Sequence, residues 1–262
     1  MKVLSKYIGK QFIFIIALIA SIILINNGAF ASKENLEIEL KPNHINIGTF
    51  YNGTTVTAKG KIPVGAEVVL RISGHYTELH LKKKGKIAGL LWMNIGDVTV
   101  GNVPEVFMVV CSQNMKDRID DPGLNLGYKY LEKMMTIEPE YEDKGFIFKE
   151  FVKLQEKSGT YGIFSGNVRY TGESGGFRTF EATIPVPPKM KQGEYKVEAF
   201  AVRGNEIIES SAEELILKQV GFPALVSKLA FNYSLLYGIG AVIIAIFAGL
   251  LMGILFKGGG SH

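Results

Sequence analysis

The sequence is poor in the features that usually announce chemistry. Its 262 residues hold one cysteine, Cys111, one tryptophan, Trp92, and four histidines. A single cysteine excludes an internal disulfide, so any exported part must be held by a packed core. The run Val106-Phe107-Met108-Val109-Val110 leading into Cys111 reads as a buried strand with its thiol inside. There is no Cys-x-x-Cys-His for haem, no Gly-rich phosphate loop after a strand, and no nucleophile elbow. His75 and His80 flank Glu78, but residues five apart on a strand point to opposite faces and would not share a metal. A metal- or thiol-dependent enzyme using His75, His80 and Cys111 is therefore disfavoured. The expectation is a non-enzymatic protein without a cofactor.

Acidic residues are also missing from both ends: none precedes Glu34 and none follows Glu214. With Lys2, Lys6, Lys10 and Lys257 set aside, 25 basic residues face 25 acidic ones, so the basic pI of about 8.9 comes from the flanks. A nucleic-acid binder concentrates positive charge on its folded domain. This balance excludes that class.

What the ends do contain is hydrophobic. Leu235 to Phe256 carries neither charge nor proline, and 22 helical residues reach about 33 Å, enough to cross a hydrocarbon core of about 30 Å. Ala241, Ala245, Gly249 and Gly253 repeat every four residues and place a small face on that helix, the kind another helix approaches closely. Ahead of it, Phe222 to Phe231 reads as an amphipathic segment lying at the interface, with Phe222, Leu225, Lys228 and Phe231 as anchors and Tyr233 and Tyr237 at the water–lipid boundary. At the other end, a lysine-bearing start, the apolar run Phe12 to Ile25 and Ala29-Phe30-Ala31 form a signal peptide over residues 1–31. Residues 32–218 are then the exported domain, 219–234 the interfacial segment, 235–256 the span and 257–262 a short cytoplasmic tail whose Gly258 to His262 reads as an added linker. Lys257 favours a cytoplasmic C-terminus. The expected location is a bacterial cytoplasmic membrane, crossed once, with the domain on the periplasmic side.

The exported domain alternates like a β protein. Leu36, Ile38 and Leu40 interleave with charged residues at period two. Thr54 to Ala58, Ala66 to Ser73, Tyr76 to Leu81, Glu105 to Cys111, Tyr161 to Tyr170, Phe177 to Ile184, Glu194 to Phe200 and Ile207 to Leu217 read as further strands. Gly193-Glu194-Tyr195 entering a strand suggests the corner tyrosine of immunoglobulin-like sandwiches. Helical spacing interrupts over about 121–157: Asp121-Pro122 reads as a helix start carrying Leu124, Tyr128, Leu131 and Met135, and a second helix buries Ile147, Phe148, Phe151, Val152 and Leu154. The expected fold is mainly β, an Ig-like sandwich with a two-helix insertion and a C-terminal membrane helix. Lys82 to Lys86 reads as a solvated hairpin turn, with membrane-surface or partner contact as the alternative, and Trp92 reads as a core residue.

One stretch carries a resemblance. Lys83-Lys84-Gly85-Lys86-Ile87-Ala88-Gly89-Leu90-Leu91-Trp92-Met93-Asn94, then Val103-Pro104-Glu105-Val106-Phe107, resembles the basic-Ala-Gly-Trp-Asn…Val-Pro core of the Alph_Pro_TM family of bacterial transmembrane proteins. Matches continue through Pro188…Gly193-x-Tyr195 and through Leu236-Tyr237-Gly238…Ala248-Gly249-Leu250…Phe256. The chain departs by one residue, Leu90-Leu91, before its tryptophan. The resemblance implies a single-pass protein with an exported domain, often encoded near permeases that look like sulfite exporters. It makes Trp92 and Asn94 candidate interaction residues, beside Lys83, Lys84 and Lys86 of the basic run. The expected partners are the lipid bilayer and a polytopic membrane protein or complex, or a second copy of the chain, with no nucleic acid. The alternative is an extracytoplasmic module binding a small anion or peptide through Lys82 to Asn94.

Overall fold

The structure is a computed structural model that describes residues 36–87, 89–139 and 144–256. The signal peptide over 1–31 and the tail over 257–262 lie outside the described residues.

Two sheets face each other across one core. The first is four-stranded, in the order β1 (Ile38–Lys41), β3 (Thr54–Pro63), β11 (Phe177–Val186), β10 (Val168–Ser174). The second is six-stranded: β2 (His44–Ile47), β13 (Glu206–Gln219), β12 (Gly193–Arg203), β4 (Glu67–Ser73), β7 (Phe107–Cys111), β9 (Tyr161–Ser165). Alternation decides which residues meet between them. Val56, Ala58 and Ile62 of β3, with Phe180, Ala182 and Ile184 of β11, pack against Val68, Leu70 and Ile72 of β4 and Val197, Ala199 and Ala201 of β12. This is the expected sandwich. Its corner tyrosine is present as well, since the Tyr195 hydroxyl donates to the Lys191 carbonyl at 2.9 Å.

The six-stranded sheet is covered on its other face too. There Val69, Phe107, Val109, Cys111, Phe200 and Val202 meet a third layer. That layer holds the helices α1 (Tyr128–Met134) and α2 (Lys144–Ser158) and a smaller sheet ordered β5 (Tyr76–Ile87), β6 (Leu91–Pro104), β8 (Thr136–Glu138). Burial on both faces explains why β7 is apolar at every position, as central strands of covered sheets are.

Five readings of the sequence need correction. The helix does not start at Asp121-Pro122. Those residues form a turn closed by the Leu124 amide on the Asp121 carbonyl, and Asn125 sits at φ +48°, which no right-handed helix passes through. Helix α1 begins at Tyr128 instead, where Asp120 accepts the Lys129 amide at 2.8 Å. Tyr161 to Tyr170 is two strands, because Gly166 (φ +82°) passes the chain from one sheet to the other. On α2, Phe148, Phe151 and Val152 are buried but Leu154 is half exposed. Finally, Lys82 to Lys86 is strand rather than turn, and Trp92 is not core, as the next section describes.

The chain ends in α3 (Phe222–Asn232) and α4 (Ser234–Phe256), separated at Tyr233, whose backbone leaves the helical region. Helix α4 is 23 residues long and contains an 18-residue stretch with a mean hydropathy of 2.8, and among the described residues nothing buries any residue of that stretch.

Candidate interaction surface

Strands β5 and β6 pair in antiparallel register from Tyr76↔Pro104 to Ile87↔Leu91. The lysine run continues as strand because Gly89 (φ +74°) supplies the reversal beyond it, closed by the Leu90 amide on the Ile87 carbonyl. β8 joins this ribbon only at Thr99 to Gly101. Among the described residues no strand pairs with the outer half of the hairpin, from Lys82↔Asp97 outward.

Residues directly opposite share a face, so the register sorts the outer half into two surfaces. Lys82 with Asp97, Lys84 with Asn94 and Lys86 with Trp92 lie on one. Lys82 pairs with Asp97 at 2.6 Å, and the Lys86 ammonium sits 5.3 Å from the Trp92 ring centroid. The other surface carries Ile87 with Leu91, Gly85 with Met93 and, at its inner margin, Lys83 with Gly96. A bulge between Lys83 and Lys84 lets Ile95 lean over Gly85, where any side chain would collide with it. This apolar face is the outward continuation of Leu79, Leu81, Val98 and Val100, which pack on the third-layer core. Within the core the stripe is covered; beyond it the same stripe meets solvent. Trp92 is 67% exposed, Leu90 84%, and Leu91, Met93 and Ile95 at least half. Isolated exposed apolar residues are ordinary, but a contiguous set of this kind marks a contact surface.

The structure thus brings the sequence candidates Lys83, Lys84, Lys86, Trp92 and Asn94 together on one hairpin. Sequence reasoning missed the neighbouring groove, about 600 Å³, between this ribbon and α2. It is lined by Leu81, Val98, Phe146 and Leu154 and by Lys82, Lys153, Lys157 and Glu150, whose carboxylate pairs with Lys153 at 2.6 Å. Exposed Phe146 and Leu154, eight residues apart on α2, were the available signal.

The membrane-facing candidates lie apart from the hairpin in sequence. Ala241, Ala245, Gly249 and Gly253 all stand on the uncovered surface of α4, and a Cβ added at Gly249 or Gly253 would meet nothing within 4 Å. On α3, Phe222, Leu225, Lys228 and Phe231 are exposed, as are Tyr233 and Tyr237 beside the break between the helices.

The other chemistry-bearing residues are structural. Cys111 is fully buried, and burial pushes its thiol up to about 11, leaving it protonated and a poor nucleophile at neutral pH. His80 meets Thr99 Oγ1 at 3.1 Å and Glu78 at 3.7 Å, while His75 stands exposed before β5. Among the described residues no three His, Cys, Asp or Glu side chains gather to hold a metal ion. On the third-layer face of the sheet, Arg71 donates twice to Glu198 Oε2, at 3.0 and 2.8 Å, beneath the Tyr130 and Phe200 rings. Burial alone would raise the Glu198 pKa, but hydrogen bonds from Lys196 and Arg71 outweigh it and hold the carboxyl below the usual range. Glu198 lines a cleft of about 370 Å³ together with Tyr76, Asn102, Tyr130 and Lys196. The arrangement fastens β4 to β12 and presents no aligned nucleophile and base.

The family described as "Putative transmembrane protein (Alph_Pro_TM)" matches residues 35–258. The chain belongs to that family. Among curated proteins none matches it.

Proposed function

We propose that the chain is a non-enzymatic accessory subunit of a membrane complex, anchored by α4, with its sandwich on the periplasmic side of a bacterial cytoplasmic membrane and its C-terminus in the cytoplasm. The observation that carries this reading is α4 itself. It is one helix with every side chain uncovered, and its Ala241, Ala245, Gly249 and Gly253 face lets a neighbouring helix come close. A span used only as a tether needs no such face. The partner best suited to it is a polytopic membrane protein, and a permease of the sulfite-exporter kind fits the family resemblance. Helix α3 lies along the interface and sets the height of the domain.

Gentle detergent extraction followed by native-mass analysis tests the reading. A multispanning protein in fixed ratio is expected, lost in Gly249→Leu while the ectodomain keeps its far-ultraviolet dichroism. Recovery of the chain alone, or as a homodimer, would overturn it.

A second reading rests on the groove beside Lys82, Lys153 and Lys157: an extracytoplasmic module for a small anion or acidic peptide. Sulfate, sulfite or an acidic peptide that raises the melting temperature by mass action, with loss of the shift in Lys153→Gln, would favour it.

A further inference from the structure

We infer that the β5–β6 hairpin is a second membrane contact, its apolar edge and Trp92 entering the headgroup layer of an anionic bilayer. The inference rests on the chain being membrane-anchored and is independent of which protein accompanies it.

Four observations converge on a lipid occupant. The hairpin is amphipathic in the sense an interface requires, with Ile87, Leu91, Met93 and Ile95 on one surface, where Lys83 stands at the inner margin, and Lys82, Lys84 and Lys86 on the other. Its outer half carries four lysines against one acid, Asp97, which gives charge complementarity to anionic lipid. The indole and the lysine that accompanies it are the pair that favours the water–lipid boundary, where an amphipathic ring and a long basic stem each keep one end wet.

The fourth observation is topological. β13 and β4 run the same way in the six-stranded sheet, each antiparallel to β12 between them. β13 leads through Gln219 into α3 and the span, while β4 leads through Gly74 into β5. β6 returns to β7, which starts opposite Ser73 at the end of β4. The hairpin is therefore rooted at the same end of the sheet from which the chain descends to the membrane. Tethering at that end holds the root of the hairpin near the bilayer, and β5, 12 residues long, gives its outer half the reach to touch it. A weak basic-apolar contact and a spanning helix together then fix the domain's tilt, which neither does alone.

Trp92 is the only tryptophan in the chain, so the native protein carries its own probe. The test uses the full chain in nanodiscs of phosphatidylcholine alone or mixed in equal parts with phosphatidylglycerol, with brominated lipid as a contact-range quencher. The expected result is blue-shifted emission, quenched by bromolipid and shielded from acrylamide, in the phosphatidylglycerol discs. Each of Lys82→Gln, Lys84→Gln and Lys86→Gln should lower the lipid-engaged population by about fivefold. The triple change should bring emission to that of exposed indole, and high salt should act in the same direction. Leu91→Ser with Met93→Ser should release the ring even where charge is retained. Emission that is red, acrylamide-accessible and insensitive to bromolipid in both discs would overturn the inference. So would a blue shift that appears only when membrane protein extract is added, which would assign the hairpin to a protein partner. A chain that fails to float with the discs at all would instead refute the anchor.

Discussion

Two five-residue strand segments, β7 and the outer part of β6, look alike and live differently. β7 reads Phe107-Met108-Val109-Val110-Cys111 and is buried at every position. The outer segment reads Leu91-Trp92-Met93-Asn94-Ile95 and is exposed at every position. Apolar content does not separate them. Neighbours do: β7 lies between β4 and β9 and beneath two layers, whereas among the described residues the outer β6 has only the lysine-bearing end of β5. A strand's fate is decided by what pairs with it and what stacks on it. Where neither exists, an apolar strand is a surface waiting for a solvent other than water.

The comparison breaks most sharply at Phe107. It is fully buried and its ring lies 5.9 to 6.4 Å from those of Tyr128, Tyr130 and Tyr161. Phe107→Ala should cost about 4 kcal/mol, the transfer loss plus the cavity left between layers. Thermal unfolding followed by far-ultraviolet dichroism in detergent should show a melting point lower by roughly 10 °C. A drop of only a degree or two would mean that the third layer is not packed on the sheet as described.

Arg71 comes next. Arg71→Leu removes two of the hydrogen bonds on Glu198 and leaves the carboxylate to Lys196 alone, at 2.8 Å, so the loss should be about 2 kcal/mol, below that of a buried charge stripped of every partner. Adding Glu198→Leu should recover most of that loss. The pair also has a pH signature. Glu198 is held below its ordinary pKa, so its contribution is complete above the unfolded carboxylate pKa and is lost as pH falls through the folded value. Wild-type stability should decline on acidification, and Arg71→Leu should decline less steeply. Parallel curves would show that the pair is not coupled to folding.

Between these effects and the smallest lies Tyr161, whose buried hydroxyl donates to the Pro104 carbonyl at 2.7 Å and ties β9 to the end of β6. Tyr161→Phe keeps the ring and removes one hydrogen bond, a loss of about 1 kcal/mol. A chemical-denaturation midpoint that does not move would mean that the carbonyl finds water instead.

The period-two alternation of β1, β3, β11 and β12 and the uncharged run of α4 were legible because one face, or one medium, sets those patterns. The Tyr195 corner was legible because it depends on residues four apart. The third layer was not, although Val106 to Cys111 carried its mark: a strand without alternation is covered on both faces, and the covering comes from segments far away in sequence. The helix start was misread because Asp121-Pro122 satisfies capping preferences that Asn125, in a left-handed conformation, then cancels. Lys82 to Lys86 looked like a turn because charge suggests solvent, and a strand with one face in solvent presents lysines just as readily. Trp92 looked like core because large rings usually are. Its cross-strand partner, Lys86, becomes visible only once Gly89 is known to hold the reversal.

The last prediction concerns that outer hairpin and is the smallest in stability. Leu91→Ser and Trp92→Ala each remove a side chain that touches little of the fold, so each should change the unfolding free energy by less than about 0.5 kcal/mol. The contrast with Phe107→Ala is the point: two aromatic truncations 15 residues apart on consecutive strands should differ roughly tenfold in cost. A sizeable destabilisation from Trp92→Ala would mean that the Lys86–Trp92 pair holds the ribbon together. A negligible one leaves the exposed ring without a folding role, and its exposure must then be explained by what it touches outside the chain. Measured in detergent, where no bilayer face is present, the substitution should look silent. Measured in phosphatidylglycerol discs, the same substitution should weaken the hairpin's hold on the lipid surface, seen as faster hydrogen exchange at the amides of Lys84 to Met93. Equal exchange in both settings would separate the exposed hairpin from the membrane and return it to the protein partner.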